Sequence, residues 1–501
     1  MELQSIDLFF VILYLTGIAL FGVWIGRGVK SGYDLFLAGR SLPWWAVGAS
    51  LVVSDIGAKD MVGLADEGYR HGLVMANYDL IGCIFPVLIA AFVFMPFLWL
   101  AGVYTIPEYL GRRYNFAVRF CFAVVWAVVM VGMLGVIFVS AASMFKELLG
   151  WSFTTSVLTT AVVVGLYTIS GGLKAVVFTD LVSCIVLIIG MVLICMIGLD
   201  KVGGWEALRT QVGALPDTEH HFELVRSASD PDNPWTAMLL GLGFVLGPAY
   251  WIGNQAIVQR TFGTVSQAEA RASYVLCAAI KIVFPFLLVI PGLIGLALFH
   301  DKFGGVRSDN WTGGLVLPEL VKLLPPGILG IVIGAFLAGV MSNLDSYVNS
   351  ATTLCVTDLY KPIFRQGASD YEMLWVGRLL IVIFLAGGAI ASYEIQQRFT
   401  TVFTAFQTLL SLYQGALLSV LLLGMLSRRV TQWGGFAGLI VGVTSASLMH
   451  YQGVHMLWVA WWSFVAAVCA NVGVSMLTKP HDDERLQGLV IGMQSVAKES
   501  V

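Results

Sequence analysis

Long apolar segments, separated by short polar ones, recur along this chain from residue 6 to residue 477. A run of about 20 apolar residues is the length that an α-helix needs to cross a bilayer. Helices also satisfy all of their backbone hydrogen bonds without help from lipid. The pattern therefore predicts an all-α polytopic membrane protein with about thirteen transmembrane helices. The predicted spans are 6–26, 43–65, 75–100, 116–147, 153–169, 173–199, 235–256, 272–299, 327–356, 373–393, 400–427, 432–450 and 455–477.

Two of these spans contain residues that interrupt a helix. The second span has Gly57 among charged residues, and the seventh has Gly247, Pro248 and Gly253 within a few positions. Glycine and proline in corresponding spans of two halves are typical of discontinuous helices that line a site at the middle of the membrane. Because the two spans are five apart, their spacing predicts two repeats of five helices.

This spacing also sets the expected organisation of the chain. One transmembrane domain is predicted at 1–480, followed by a short cytoplasmic tail at 481–501. Within the domain we expect an extra N-terminal helix, a first repeat, a second repeat and two C-terminal helices. These four parts are 6–26, 43–199, 235–427 and 432–477.

Basic residues favour one orientation in the membrane. Lysine and arginine are concentrated in every second predicted loop, and such loops face the cytoplasm. We therefore expect the N-terminus outside and the C-terminus inside, as in a multi-pass protein of the plasma membrane, or of the inner membrane in a bacterium. The residues used are Arg27, Lys30, Arg40, Arg112, Arg113, Lys174, Arg260, Arg271, Lys361, Arg365, Arg428 and Arg429.

Composition agrees with a membrane protein. Hydrophobic residues make up 58% of the chain and charged residues 12%, against about 25% charged in ordinary globular proteins. The seven cysteines lie in apolar runs without a CxxC pair, so we interpret them as packing residues. The first run lacks the basic start and cleavage site of a signal peptide. No phosphate-binding GxxxxGK[ST] motif occurs, which argues against ATP as the energy source.

The segment 338–350, AGVMSNLDSYVNS, places many polar side chains inside an apolar run. A carboxylate at membrane depth costs about 2.5–3.5 kcal/mol, so Asp345 is expected to face a partner, a cavity or an ion. Oxygen-bearing side chains one helical turn apart could form a face for a cation such as Na⁺. Polar contacts between helices would explain the same pattern, and the sequence leaves both explanations open.

Charged residues predicted at membrane depth form the wider set of candidates. They are Asp55, Lys59, Asp60, Asp79, Asp180, Lys281 and Asp345. A mixture of acids and lysines within the membrane favours ion-coupled transport, through Na⁺ or through a proton. All seven histidines lie in loops or near span ends, which weighs against an intramembrane metalloenzyme.

Six motifs, in order along the chain, resemble those of the sodium:solute symporter family, which includes the sodium/glucose cotransporters. Together they extend the resemblance over about residues 5–480. They are SDIGAKDMVGLADEGYRHGL at 54–73, YTIPEYLGRRYN at 104–115, YTISGGLKAVVFTD at 167–180, AYWIGNQAIVQR at 249–260, KIVFPFLLVIPG at 281–292 and VMSNLDSYVNSATTLCVTDLYKP at 340–362.

This resemblance implies a LeuT-type fold of five plus five inverted helices and a shared sodium site. The expected ligands are backbone carbonyls of Val53 and Ile56, with Gly339, Ser342 and Asn343 on the eighth repeat helix. Asn343 departs from the family pattern, in which a serine is usual, although an amide oxygen can also ligate Na⁺.

Two acids extend the expected sodium chemistry. Asp180 matches a family aspartate near the path by which sodium leaves. Asp345 stands where some members have a hydroxyl residue of a second sodium site. The resemblance therefore implies that a second cation could bind at Asp345.

The resemblance to the sugar-transporting branch also implies a set of solute contacts. Tyr250 and Trp251 match the inner aromatic gate and its neighbour, and Lys281 and Gln407 match contacts to sugar hydroxyls. Asp79 stands where that branch has a glutamate. Two further acids depart from the pattern. Asp55 replaces an asparagine and Asp60 replaces a glutamine or histidine.

We therefore expect a sodium-coupled symporter that imports a polar organic solute, with a sugar or sugar derivative as the first expectation. An amino acid, a carboxylate or a nucleoside is the alternative solute, and a membrane solute sensor is the alternative outside transport. The expected ligands are Na⁺ and the solute, without an organic cofactor, a nucleic acid or an enzymatic activity. The oligomeric state is left open, and a functional monomer is compatible with this scheme.

Overall fold

The computed structural model describes residues 4–29, 31–307, 315–399 and 401–493. Within these residues the regular elements are helices, as predicted, and a single isolated β-bridge joins Leu42 and Thr264. The predicted tail is described only up to residue 493, so its last eight residues lie outside the described part. Ten helices in the described part are long and apolar enough to cross a membrane.

In its first half, the described part of the chain forms eleven α-helices. They are α1 (Ser5–Gly26), α2 (Gly32–Leu37), α3 (Trp44–Asp55), α4 (Ala58–His71), α5 (Asn77–Asp79), α6 (Phe85–Ile89), α7 (Met95–Leu100), α8 (Ile106–Arg113), α9 (Phe116–Leu149), α10 (Phe153–Val202) and α11 (Trp205–Gly213). Short 3₁₀ and π turns join α4 to α7 into one continuous path between Lys59 and Leu100.

The residues described in the second half add thirteen more. They are α12 (Trp235–Ala237), α13 (Gly247–Gly253), α14 (Gln255–Phe262), α15 (Gln267–Lys281), α16 (Phe284–Phe303), α17 (Val316–Val321), α18 (Ile328–Leu354), α19 (Lys361–Ile363), α20 (Asp370–Arg398), α21 (Val402–Leu426), α22 (Gln432–Tyr451), α23 (Met456–Leu477) and α24 (Asp483–Leu486). The short helix α11 lies in the connection between α10 and α12, and the short helix α17 lies in the connection between α16 and α18.

Polar residues in the sequence set where many of these helices begin. The side chains of Asn115, Ser152, Ser369, Thr401 and Thr431 each accept a hydrogen bond from a backbone N–H in the first turn of the following helix. These caps satisfy amide groups that have no partner within the helix. The apolar run that follows each cap can then continue as a helix into the membrane.

The predicted count of thirteen spans is not confirmed, because three predicted spans are absent from the ten. The span 43–65 is divided between α3 and α4, and only the part from Lys59 onward continues into a long apolar path. The span 153–169 gives a shorter apolar helix at Phe153–Leu166, next to a break at Gly172 (φ 57°). The span 432–450 forms α22 but is not among the ten.

Helix α18 is the centre of the molecule. In its most apolar window 89% of the residues are buried, whereas the corresponding figure for α1 is 11%, so α1 lies at the periphery. The Asp7 carboxylate of α1 nevertheless accepts hydrogen bonds from the backbone N–H groups of Gly327 (2.7 Å) and Gly330 (3.0 Å). A carboxylate at a helix N-terminus is stabilising. Asp7 therefore fixes the extra N-terminal helix to the start of α18.

Both predicted helix breaks are present. Between α3 and α4 the backbone is extended at Ile56 (φ −92°, ψ 106°) and Gly57 (φ −129°, ψ −165°). Between α13 and α14 it is extended at Asn254 (φ −72°, ψ 115°), one residue beyond Gly253. Gly247 and Pro248 do not break the helix, which continues from the π-helical segment Met238–Leu246 through to Gly253.

Candidate functional site

A small cavity of ≈ 50 Å³ lies between the two broken helices and α21. Six of the seven residues predicted to contact solute line it, and the seventh, Lys281, bonds directly to two of them. The six are Asp55, Asp60, Asp79, Tyr250, Trp251 and Gln407. The cavity is well below the ≈ 300 Å³ at which ligand pockets usually begin, so the structure represents a contracted form of this site.

Lys281 is held by two carboxylates. Its ammonium group pairs with Asp55 and with Asp79 Oδ1, the latter at 2.7 Å, and its side chain is 0% exposed. The sulfur of Cys83 lies 3.4 Å away. Lys281 is the last residue of α15, so the end of that helix positions the charge between the first break and the helix path that follows it. A buried ammonium needs such partners, because its transfer from water is costly.

The position of the Lys281 ammonium also bears on whether a metal ion could bind at this cluster. Ligand atoms of Asp55, Asp79 and Cys83 lie within 4.8 Å of one another, a spacing that could hold a metal ion. The Lys281 ammonium pairs with one oxygen of each carboxylate and so occupies the position between them that a bridging metal ion would take. We therefore interpret this cluster as part of a solute site.

A second lysine, which was among the predicted intramembrane charges but not among the predicted solute contacts, lies behind the polar wall. Lys59 pairs with Asp60, donates to the carbonyl of Asp55 (2.8 Å) and lies 4.0 Å from the centre of the Phe406 ring. Asp60 also accepts a hydrogen bond from the backbone N–H of Gly57 (3.0 Å). Asp60 is therefore the cap of α4 as well as a residue of the cavity.

Aromatic side chains form the rest of the wall. The hydroxyl groups of Tyr250 and Tyr347 lie 3.4 Å apart, and Tyr250 packs edge-on against Trp251 at 5.7 Å. Tyr78 packs edge-on against Phe403 at 4.7 Å, and its buried hydroxyl has no hydrogen-bond partner. Tyr347 and Tyr78 were missed in the sequence because an aromatic residue in an apolar run is usually a packing residue.

The predicted sodium ligands converge next to this cavity. The Asn343 side chain donates from Nδ2 to the carbonyl oxygen of Val53 at 2.9 Å, and it packs so closely on Gly57 that a Cβ there would collide with it. Asn343 Oδ1 and Ser342 Oγ are buried without hydrogen-bond partners. Ile56 lies in the break and Gly339 lies one turn before Asn343, both buried. A buried unsatisfied oxygen is unfavourable unless something else binds it.

Asp180 lies in a buried ion-pair network that the sequence did not reveal. It accepts a hydrogen bond from Ser50 (2.5 Å) and pairs with Arg260 (3.4 Å). Arg260 also donates to Ser50 Oγ (2.7 Å) and to Ser346 Oγ. Arg260 was counted among the basic loop residues. That assignment was wrong, because its side chain is 2% exposed and ends within the protein beside α18.

Asp345 lies on the same side of α18 as this network. It is buried, and its Oδ1 accepts a hydrogen bond from Ser346 Oγ at 3.3 Å. Ser346 in turn contacts Arg260 and the carbonyl of Ser342. Ser346 therefore connects the two predicted acids, Asp180 and Asp345, with the predicted sodium ligand Ser342.

The C-terminal end of α4 is covered by the loop that follows α11. The backbone N–H of Leu73 donates to the carbonyl of His221 (2.7 Å), and His221 Nε2 lies 3.2 Å from the Tyr69 carbonyl. Burial lowers the pKa of His221 from its usual value, although the contact with Tyr69 opposes this. Closer to the cavity, Glu67 accepts a hydrogen bond from Thr401 (2.7 Å) at the start of α21. These contacts close the site on this side.

Comparison with known proteins identifies what the chain is similar to. The sequence profile of the sodium:solute symporter family matches residues 35–442. The chain is 30% identical over 482 residues to the sodium/glucose cotransporter of Vibrio parahaemolyticus, covering 91% of this chain and 87% of that protein. It is 29% identical over 547 residues to the human sodium/myo-inositol cotransporter, covering 97% and 74%.

A solved structure shows the fold. The substrate-bound, outward-open form of a Na⁺-coupled sialic acid symporter superimposes with a TM-score of 0.85 at 19% identity, covering 96% of this chain and all of that one. The predicted fold class, an all-α membrane protein of the LeuT type, is thereby confirmed. The bounds of the two five-helix repeats stay a prediction.

Proposed function

The chain belongs to the sodium:solute symporter family, and from this premise we propose that it is a sodium-coupled symporter that imports a polar solute of the sugar type. It is a transporter and not an enzyme. One observation carries the proposal. The residues expected to contact solute meet in one cavity at the two helix breaks, beside the Val53–Asn343 contact. Broken helices at the middle of the membrane are where such transporters bind solute and coupling ion.

We propose that Na⁺ binds among Val53, Ile56, Gly339, Ser342 and Asn343. Hard cations of this kind prefer oxygen ligands, including backbone carbonyls. The break exposes carbonyls of α3, and the unpartnered oxygens of Ser342 and Asn343 lie on the facing side of α18. A cation bound here would draw the first broken helix and α18 together.

A second cation site is proposed at Asp180 and Asp345. The support for it is that two buried carboxylates lie beside Ser346. Asp345 accepts a hydrogen bond from the Ser346 hydroxyl, and Asp180 pairs with Arg260, which also contacts Ser346. Carboxylate oxygens are ligands that hard cations prefer, and these two acids would supply them.

The solute is proposed to bind between the two breaks. Asp55, Asp79 and Gln407 would accept or donate hydrogen bonds to hydroxyl groups, and Asp60 would line the outer edge of the site. Tyr250 and Trp251 would present an aromatic face to the apolar side of a sugar ring. Lys281 would position the two carboxylates, since it pairs with both.

Sodium favours transport only through its preference for one conformation. A ligand shifts an equilibrium by the difference in its affinity for the two states. The cavity is too small for a sugar in the contracted form, so entry requires α4 to separate from the start of α21, where Glu67 contacts Thr401. We propose that the N-terminus lies outside and the C-terminus in the cytoplasm of a plasma membrane, as the basic loops indicate.

Uptake into proteoliposomes tests this function. The purified protein would be reconstituted, and radiolabelled sugars, polyols and amino acids would be offered with an inward Na⁺ gradient or with K⁺ replacing Na⁺. The expected result is accumulation of a sugar-type solute that requires the Na⁺ gradient. Equal accumulation of every solute without the gradient would contradict the proposal.

A further inference from the structure

The charges that line the solute cavity are unequal. Three carboxylates, those of Asp55, Asp60 and Asp79, face two ammonium groups, those of Lys59 and Lys281. One negative charge is therefore left over in a site that is mostly buried. An uncompensated buried charge is strongly unfavourable, and it is removed either by protonation of one acid or by a partner of opposite sign.

Neither lysine is available to an anionic solute. Lys281 is fully buried between Asp55 and Asp79, and Lys59 is paired with Asp60 and packed on the Phe406 ring. Releasing either one would leave a buried carboxylate without its partner.

The N-termini at the two helix breaks are also occupied by the chain's own side chains. Free N–H groups at a half-helix N-terminus are the usual binding site for a solute carboxylate. Here Asp60 accepts the hydrogen bond from Gly57 N at 3.0 Å, and the Asn254 side chain accepts one from Ala256 N at 2.9 Å. A carboxylate solute would have to displace these caps, so the cavity disfavours organic acids and amino acids.

The remaining hydrogen-bonding groups of the cavity suit a solute that donates hydrogen bonds. Asp55 uses Oδ2 and Asp79 uses Oδ1 toward Lys281, so each carboxylate has a second oxygen that can accept from a solute. The buried hydroxyl of Tyr78 has no partner, and Gln407 lines the same cavity. These groups fit a ring that carries hydroxyls and one ammonium group.

We infer that the preferred solute is an amino sugar in its ammonium form, with the charged nitrogen facing Asp55 and Asp79. This inference rests on the proposed function and specifies its solute. A charge-assisted hydrogen bond is worth more than a neutral one by about 1 kcal/mol, which corresponds to a preference of roughly five- to tenfold over the neutral sugar.

Four labelled solutes test the inference in the reconstituted, full-length protein. They are glucosamine, glucose, N-acetylglucosamine and gluconate, each measured with an inward Na⁺ gradient to give uptake kcat/KM. The expected order places glucosamine about five- to tenfold above glucose, with gluconate lowest. Equal or better uptake of glucose or N-acetylglucosamine, or a preference for gluconate, would overturn the inference while leaving sodium-coupled sugar transport intact.

A charge-neutralising variant tests whether the surplus negative charge of the cavity causes the preference for glucosamine. Asp55→Asn removes the surplus charge with little change in shape, and we expect the ratio of glucosamine to glucose uptake to fall toward one. Asp301→Asn is the matched control, because its side chain is fully exposed outside the cavity, and the ratio should not move. An unchanged ratio in Asp55→Asn would overturn the inference.

If Asp55→Asn does not fold, the order of the four solutes in the wild type decides. Absence of Na⁺-driven uptake of all four solutes would instead contradict the proposed function.

Discussion

The side-chain amide of Asn343 donates a hydrogen bond of 2.9 Å to the carbonyl oxygen of Val53, across the gap between α18 and the first helix break. An N–H group thus faces the carbonyl that is proposed to bind Na⁺. For sodium to bind, this amide has to turn so that Oδ1, which has no hydrogen-bond partner, faces the ion. Asn343 is therefore both a proposed ligand and a competitor for the site.

Replacing Asn343 by serine should strengthen sodium binding. The competing N–H group would be lost, while a hydroxyl oxygen would still be available as a ligand. A single hydrogen bond contributes about 1 kcal/mol, so the Na⁺ concentration for half-maximal uptake should fall roughly fivefold. Asn343→Ala, which removes the competitor and the ligand together, serves as the comparison. An Asn343→Ser protein with the half-saturation of the wild type would disprove the competition.

Ser342→Ala should weaken sodium binding. Its buried hydroxyl has no partner within the protein, so its removal costs little in folding but deletes a proposed ligand. We expect the Na⁺ concentration for half-maximal uptake to rise. Ser350→Ala is a matched control, since that hydroxyl is also buried and unpartnered and lies two turns further along α18. If Ser342→Ala and Ser350→Ala give the same Na⁺ concentration for half-maximal uptake, sodium binds elsewhere.

The second cation site predicts cooperative dependence on sodium. Uptake measured against Na⁺ concentration should give a Hill coefficient above one in the wild type. Asp345→Ala should lower it toward one, because the carboxylate proposed to bind the second ion is lost. A coefficient of one in the wild type that does not change in Asp345→Ala would remove the second site and leave the first unaffected.

The pair of Arg260 and Asp180 should be important for folding. Breaking a buried ion pair from one side leaves an uncompensated charge and costs about 3–5 kcal/mol. We expect Arg260→Gln to lower the thermal stability of the purified protein markedly. The double variant Arg260→Gln with Asp180→Asn should be more stable than Arg260→Gln alone, because no unpaired charge is left. Additive losses in the double variant would show that the two residues act independently.

Acidic pH should loosen the loop around His221, which follows α11. Because its pKa is lowered in the folded protein, the folded state binds fewer protons than the unfolded one between that value and the ordinary pKa of about 6.5. The contribution of His221 to stability is therefore complete above about pH 6.5 and is lost as pH falls through the lowered pKa.

Hydrogen exchange at Leu73, whose N–H bonds to the His221 carbonyl, measures this effect. Exchange should accelerate at low pH, after correction for its intrinsic pH dependence. His221→Gln, which keeps a polar side chain that can donate a hydrogen bond but does not titrate, should lose most of the change. An equal response in His221→Gln would assign the effect to another group.

The sequence by itself determined the class of fold, the helix breaks and most of the candidate site. Helix-length apolar runs can satisfy their backbone only as membrane helices, and Gly57 marked the first break directly. The motifs around Asp55, Tyr250, Lys281 and Ser342 named residues that do lie together. A helix break is a local feature, because the residues at the break itself determine it.

Only the tertiary structure decided which charges pair. Arg260 was assigned to a loop because basic residues usually face the cytoplasm, yet it is buried against Asp180, 80 residues away in the sequence. Likewise, only the structure shows that Lys59 and Lys281 pair with acids of the cavity. Asn343 bonds to a carbonyl 290 residues away. The sequence shows which residues are charged but not which of them form ion pairs. Their pairing depends on distances between helices that are far apart in the sequence, and these distances are set by packing around α18.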